Sequence, residues 1–232
     1  MPKQRQSNIE DFAYDYLLAY YSTSYSAKNI IMGKAEKTKQ SAETTSLFAL
    51  NTADNAVFVA ALNTQLSSKI ARLLVRYKKQ GLSKFRLITA FVLFAAALIF
   101  GKTMGYQTAL LYLLPVVVAI TGFIFHSLLE KKYLEHNLEQ FVEELKKTPA
   151  NEQWLGISIS SLVFRHNALA THFISICKRQ GIGVITVGKR AKVVQLLEPR
   201  TVHCRRGDYL SYYMAEDQIR KALRDNTILR VA

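Results

Sequence analysis

The sequence predicts a mixed α/β domain interrupted by a two-helix transmembrane hairpin, and three observations carry that expectation. Two uncharged runs flank the lone Lys102, residues 87–101 and 103–129, and the second alone exceeds the roughly 20 apolar residues that cross a hydrocarbon core. On both sides of these runs apolar residues recur with alternating helical and strand spacing. Neither flank, taken alone, holds enough strands to close a core, so one domain assembled from both is expected, with the hairpin as an insertion. Composition agrees: of 232 residues half are hydrophobic and 21% are charged, which excludes a disordered chain. Cys177 and Cys204 cannot form a disulfide framework, and no CxxC or Cys/His cluster suggests structural zinc, so a reducing compartment is expected.

Taken in order, Ser7-Asn8-Ile9-Glu10 fits a capping box, and Ile9, Phe12, Ala13, Tyr16 and Tyr20 then follow at helical spacing to about Tyr21. Three β-prone runs come next, residues 29–32, 46–50 and 56–62, the last two reading as a hairpin. From 64 to 80, Leu66, Ile70, Leu73 and Tyr77 form one helix face, Lys69, Arg72, Arg76 and Lys78 lie mainly off it, and Gly81 suits the end. The first apolar run reaches spanning length if its helix continues to about Tyr106 and Lys102 snorkels to the headgroups. Pro115 lies inside the second, where a transmembrane helix tolerates it as a kink. Residues 133–147 extend that helix as a stalk, with Pro149 as its stop. A strand over 154–163, a helix over 166–180 ending at Gly181, and a hairpin of 184–187 with 193–197 around Gly188-Lys189-Arg190 complete the second half. An amphipathic helix is expected over 209–223. The organisation is therefore 1–85, first half of the α/β domain; 86–130, the hairpin; 131–200, stalk and second half; and 201–232, a C-terminal amphipathic segment.

Orientation follows from the flanking charges. Arg72, Arg76, Lys78, Lys79, Lys84 and Arg86 precede the hairpin and Lys131 and Lys132 follow it, whereas the connection carries only Lys102. Both termini are expected on the cytoplasmic side of an inner membrane, and the opening MPKQRQSNIEDF has no signal-peptide core.

The order helix, strand triplet, helix, strand resembles the restriction-endonuclease-like, or PD-(D/E)xK, nuclease fold. Glu10 matches the acid found on that family's first helix. Ala42-Glu43-Thr44-Thr45-Ser46-Leu47-Phe48 resembles the run entering the second strand, and Val57-Phe58-Val59-Ala60-Ala61-Leu62 resembles the third. Residues 177–184, CKRQGIGV, look like the late helix-to-strand turn of some such domains. The resemblance implies one or two Mg²⁺ ions held by carboxylates, with a Lys orienting the attacking water. Here Thr45 stands where the metal-binding Asp belongs, and Ala60 and Leu62 stand where the acid and Lys of (D/E)xK belong. The implied site is degenerate and carries no cofactor; Mg²⁺ enters only if the chain is an active nuclease using Glu10, Glu43 or another acid. Glu10 and Glu43 are either remnants of that site or, respectively, a helix-capping residue and a solvated loop acid.

No GxSxG, HExxH, Walker-type or GxGxxG motif is present. Cys177, on the apolar side of its helix near Phe173 and Ile176, reads as a small core residue, and His126 as a helix-packing hydrogen bond within the second apolar run. The basic excess, 31 Lys+Arg against 17 Asp+Glu, is more informative. Lys178, Arg179, Lys189, Arg190 and Lys192 fall near one expected helix–hairpin junction, and Arg200, Arg205 and Arg206 follow it. Such a cluster suits nucleic-acid backbones or anionic lipid; a generally solvated basic surface is the alternative. The expectation is a membrane-anchored, non-catalytic nuclease-like domain recognising nucleic acid or a protein partner, in a defence or DNA-associated membrane complex. An active membrane-bound nuclease is one alternative, and a membrane effector whose hairpins homo-oligomerise in the bilayer under a sensing domain is the other.

Overall fold

A computed structural model of the chain describes residues 3–25, 30–40, 42–51, 57–105, 107–188, 192–205 and 207–225, with side chains from residue 10 onward. The chain divides into two compact units, Met1–Val75 with Leu138–Ala232, and Arg76–Asn137.

The first unit is built on one mixed sheet. Helix α1 (Lys3–Ser24) precedes β1 (Ile30–Lys34), β2 (Ser46–Asn51) and β3 (Val57–Asn63), and β4 (Glu152–Ile157), β5 (Ile182–Val187) and β6 (Val193–Leu197) follow the long insertion. The strands lie side by side in sequence order. The pairs β1/β2, β2/β3 and β5/β6 are antiparallel, while β3/β4 and β4/β5 are parallel. Parallel neighbours need crossovers. The first crossover contains α2 (Ser67–Gln80), α3 (Phe85–Thr103) and α4 (Thr108–Lys146), and the second contains α5 (Ala168–Gln180). Alternation along the strands sends Phe48, Leu50, Phe58, Ala60, Leu62 and Trp154 to one face, under Ala13, Tyr14, Leu17 and Tyr21 of α1. Leu47, Ala49, Val59 and Ala61 go to the other, with Leu210, Tyr213 and the apolar side of α6 (Glu216–Asp225). Helices cover both faces, which is why β2, β3 and β5 are apolar almost throughout.

Several boundaries differ from the sequence reading, most of them at a polar side chain. Helix α1 starts at Lys3, so the expected capping box lies inside the helix. The strand expected over 154–163 ends at Ile157: the Ser158 amide donates to Ser67 Oγ, and Ser160 then caps a 3₁₀ turn, Ser161–Phe164. Helix α5 begins at Ala168 because Asn167 Oδ1 accepts from the Ala170 amide, and it ends at Gly181 in the left-handed conformation, φ 73°. The helix expected over 209–223 splits into a 3₁₀ turn, Tyr209–Tyr212, capped by Asp208, and the shorter α6. Arg220 grips that cap with two bonds of 2.9 Å to the Asp208 carboxylate. The segment from Thr201 to Asp225 is thus part of the α/β unit, with the Val202 amide bonded to the Asn151 carbonyl and Tyr213 Oη to the Pro149 carbonyl. The tight turn expected at Lys189 and Arg190 lies outside the described residues.

The second unit contains α3, the first part of α4 up to Asn137, and the end of α2. Contacts between α3 and α4 run in opposite directions along the two helices, as an antiparallel hairpin requires. The Ser83 amide donates to Glu130 Oε1 (2.7 Å), Arg86 lies 5.1 Å from the Phe123 ring centroid, and Thr89 Oγ1 is 3.2 Å from His126 Nδ1. Leu93 seats against Gly122, where a Cβ would overlap it. Helix α4 is continuous for 39 residues, through Pro115 and into the expected stalk. Both helices are long and apolar enough to cross a membrane, by length and composition. Their flanks expose Phe85, Phe91, Ile99, Leu113, Phe125 and Leu129, each more than half accessible.

Candidate functional site

The structure brings together two of the residues singled out by the nuclease resemblance. Thr45 enters β2, Thr64 leaves β3, and Glu10 lies on α1. Thr64 donates its backbone N–H to Thr45 Oγ1 (2.9 Å) and its hydroxyl to Glu10 Oε1 (3.0 Å), and the two threonine hydroxyls stand 3.2 Å apart. Thr64 is buried, while Glu10 and Thr45 are half-buried. One turn further along α1, burial pushes the Tyr14 phenol up, with Lys34 Nζ 5.6 Å from its ring centroid. The cluster is one carboxylate among hydroxyls, and hydroxyls are poor ligands for a divalent cation. Among the described residues no group of three or more His, Cys, Asp or Glu side chains is placed to hold a metal ion.

The remaining resemblance positions lie elsewhere. Ala60 and Leu62 are completely buried in the apolar layer under α1, so neither position opens onto solvent. Glu43 pairs with Lys37 at 2.9 Å across an isolated bridge between β1 and β2, and both side chains are about half exposed. Glu43 is thus a solvent-exposed acid on a loop, paired with Lys37. Glu10 is no helix cap, since α1 begins before it and its carboxylate serves Thr64.

A larger polar network escaped the sequence reading. Glu152, at the start of β4 and 4% exposed, accepts hydroxyl protons from Tyr21 (2.6 Å), Tyr25 (3.1 Å) and Thr201 (2.7 Å). Trp154 Nε1 donates to Tyr21 Oη (2.7 Å). Burial, then the Glu152 charge, push the Tyr21 phenol well above its ordinary range and raise that of Tyr25. The available signal was the i, i+2 spacing of Glu152 and Trp154, which puts both on the α1 face. A buried carboxylate with three donors is fully engaged, so this network ties α1 and the Thr201 segment to β4.

The structure separates the basic residues that the sequence grouped. Lys178 and Arg179 are exposed in the last turn of α5, where cations suit the helix C-terminus; Arg179 also approaches Glu139 at 3.5 Å. Lys192 is exposed at the entry to β6, beyond the far end of β5, and five residue steps of strand span about 17 Å. The expected single junction is therefore two places. Lys189, Arg190 and Arg206 lie outside the described residues, and Arg205 is exposed in the segment leading to Asp208. Around the α5 end the structure adds Lys146, whose ammonium donates to the Gln180 carbonyl, and exposed Arg200, whose amide donates to the Gly181 carbonyl (2.9 Å). Cys177 is fully buried and its thiol is pushed up to about 12 by burial, which makes it inert.

No known protein family, curated protein or solved structure matches the chain.

Proposed function

We propose that the chain is a membrane-anchored, non-catalytic recognition protein. Its α3/α4 hairpin spans a bilayer, and its α/β unit, a degenerate restriction-endonuclease-like domain, binds nucleic acid at the cytoplasmic face. The observation that carries the anchoring is the apolar flank of the hairpin: large side chains from Phe85 to Tyr133 stand exposed along both helices, a surface that water does not tolerate at this extent. With the α3/α4 hairpin set aside as an insertion, the element order helix, three antiparallel strands, helix α2, parallel strand β4 supports the nuclease resemblance. The absence of catalysis rests on Thr45, Ala60 and Leu62, which supply neither the paired carboxylates nor the ammonium that metal-assisted phosphodiester hydrolysis uses. Nucleic acid is the partner that the basic residues favour, with Lys146, Lys178, Arg179 and Arg200 gathered at the α5 end.

The test has three arms on the full chain. Alkaline carbonate should leave it in the membrane, and tags on either terminus should resist protease applied outside intact cells. Purified protein should bind DNA or RNA with an affinity that falls steeply with salt. It should cleave neither with Mg²⁺ nor with Mn²⁺; metal-dependent cleavage abolished by Glu10→Gln or Glu43→Gln would replace this reading with that of an active nuclease. Absence of nucleic-acid binding at low salt would transfer the recognition role to a protein partner.

A further inference from the structure

The charge of the hairpin unit is concentrated at one end. Within residues 76–137, seven of the eight basic side chains precede Leu87 or follow Glu130, and Lys102 alone lies by the turn. The bond from the Ser83 amide to Glu130 places the start of α3, with Lys84 and Arg86, beside the α4 segment that carries Lys131 and Lys132, and Arg76 and Lys79 belong to the same compact unit, on the end of α2 that leads into α3. The two acids of the unit are engaged there. Glu130 accepts from the Ser83 amide, and Glu135 faces Lys131 at 3.7 Å. Arg86 rests over the Phe123 ring. Arg76, Lys79, Lys84 and Lys132 are exposed, and none of them has an ion-pair partner among the described residues.

We propose that these four side chains form a collar that binds the headgroups of anionic lipids, so that the protein gathers anionic lipid around the base of its hairpin. The inference rests on the membrane-spanning reading of α3 and α4. With those helices in hydrocarbon, their polar base lies at the depth of the lipid phosphates. A zwitterionic headgroup brings its own ammonium to that depth, whereas an anionic one brings uncompensated charge. Arg76 matches a phosphate with a planar fork of donors, and the three lysines act as mobile point charges. Each cation near an anionic surface is worth about fivefold in affinity at physiological ionic strength. Orientation by flanking charge would require only that the cations stay on one side; the collar requires in addition that they choose among lipids.

The experiment uses the full chain reconstituted in phosphatidylcholine vesicles containing a minor fraction of phosphatidylglycerol. Spin-labelled probes of each lipid report the fraction immobilised by protein. The expected result is a several-fold preference for the phosphatidylglycerol probe that decreases as salt rises. It should approach parity in the variant Arg76→Gln/Lys79→Gln/Lys84→Gln/Lys132→Gln and persist in Lys102→Gln. The salt titration of the native chain reads the same preference should the fourfold variant fail to reconstitute, and a preference that salt does not weaken would overturn the collar. So would equal immobilisation of both probes, a preference that survives the fourfold variant, or displacement of the phosphatidylglycerol probe by an added oligonucleotide, which would make the base a nucleic-acid site. Release of the native chain by alkaline carbonate would sink the membrane reading and the collar together, whereas stable integration without lipid preference would sink the collar alone.

Discussion

At Glu152 one carboxylate ties the C-terminal end of α1 to the sheet, through Tyr21 and Tyr25 on the helix side and Thr201 on the other. Glu152→Gln keeps the shape but turns one acceptor into an NH₂ facing hydroxyl donors, and should cost about 2–3 kcal/mol in thermal or denaturant unfolding. Tyr21→Phe, which strips Trp154 Nε1 of its acceptor, should cost about 1–2 kcal/mol. Variants as stable as the native chain would show that the network adds nothing to the fold. A second prediction concerns alkali. The Cys177 thiol, ordinarily near 9.0, is raised to about 12 in the fold. Its contribution to stability is therefore fully present below about pH 9 and lost as pH climbs through 12, because the unfolded chain releases the proton first. Tyr21 and Tyr213, raised by burial, act in the same direction above the ordinary phenol range. Stability should be level from neutrality to about pH 9 and fall beyond it. Cys177→Ala should remove the earliest part of that fall, and a thiol reagent should reach Cys177 only on unfolding. The core reading of Cys177 was legible because it shares a helical face with Phe173 and Ile176. The Glu152 network was not, since its donors lie far away in sequence and an isolated Glu at a strand start looks like a solvated residue.

Among the elements, those with long apolar periodicity were readable and those ended by a short polar side chain were not. β6 matches the expected 193–197 run, and α3 and α4 stand where uncharged stretches demanded them. The expected strand to Val163 failed at Ser158 and Ser160, and the expected helix from Tyr209 failed at Asp208. At Ser160 and Asp208 a side-chain oxygen bonds locally and offers the backbone an alternative to the regular ladder, while the Ser158 amide is taken by Ser67 Oγ of α2. The basic junction failed for a different reason: it counted residues along the chain, while an intervening extended strand carries its two ends apart. Within the hairpin, Gly122 permits the approach of Leu93, so bulk at that position is the sharpest probe of α3/α4 packing. Gly122→Ala should be mild, because only the tip of a flexible leucine must turn aside. Gly122→Ile should destabilise the pair by about 1–3 kcal/mol, and Leu93→Ala in the same chain should recover most of the loss. Helix melting followed by circular dichroism in detergent measures both, and equal melting of Gly122→Ile and native protein would place the helix contact elsewhere.

At the scale of the whole molecule, the sheet is stitched from two stretches of chain that the apolar hairpin keeps apart in sequence. The seam is the parallel pairing of β3 with β4, from Ala60 opposite Glu152 to Asn63 opposite Leu155. Asn151 reinforces it: its amide donates to the Val59 carbonyl, its Oδ1 accepts from the Val59 amide, and its Nδ2 reaches the Val202 carbonyl. That strands from both halves would meet in one sheet was legible from the strand inventory; the register of the seam was not, because pairing between distant strands leaves no local mark. Alone, residues 1–85 would expose the open edge of β3 and one apolar sheet face, and residues 131–232 would expose β4 in the same way, so each half expressed separately should be insoluble. A chain that joins 1–80 to 138–232 through a long flexible Gly/Ser linker keeps every strand and both covering helices. It should be soluble without detergent and unfold in a single cooperative transition. Asn151→Ala in that chain should lower its stability by about 1–3 kcal/mol, since the buried Val59 amide then lacks an acceptor. Cooperative folding of either half by itself, or aggregation of the linked chain in the face of an intact seam, would show that the hairpin is a working part of the domain and not an insertion into it.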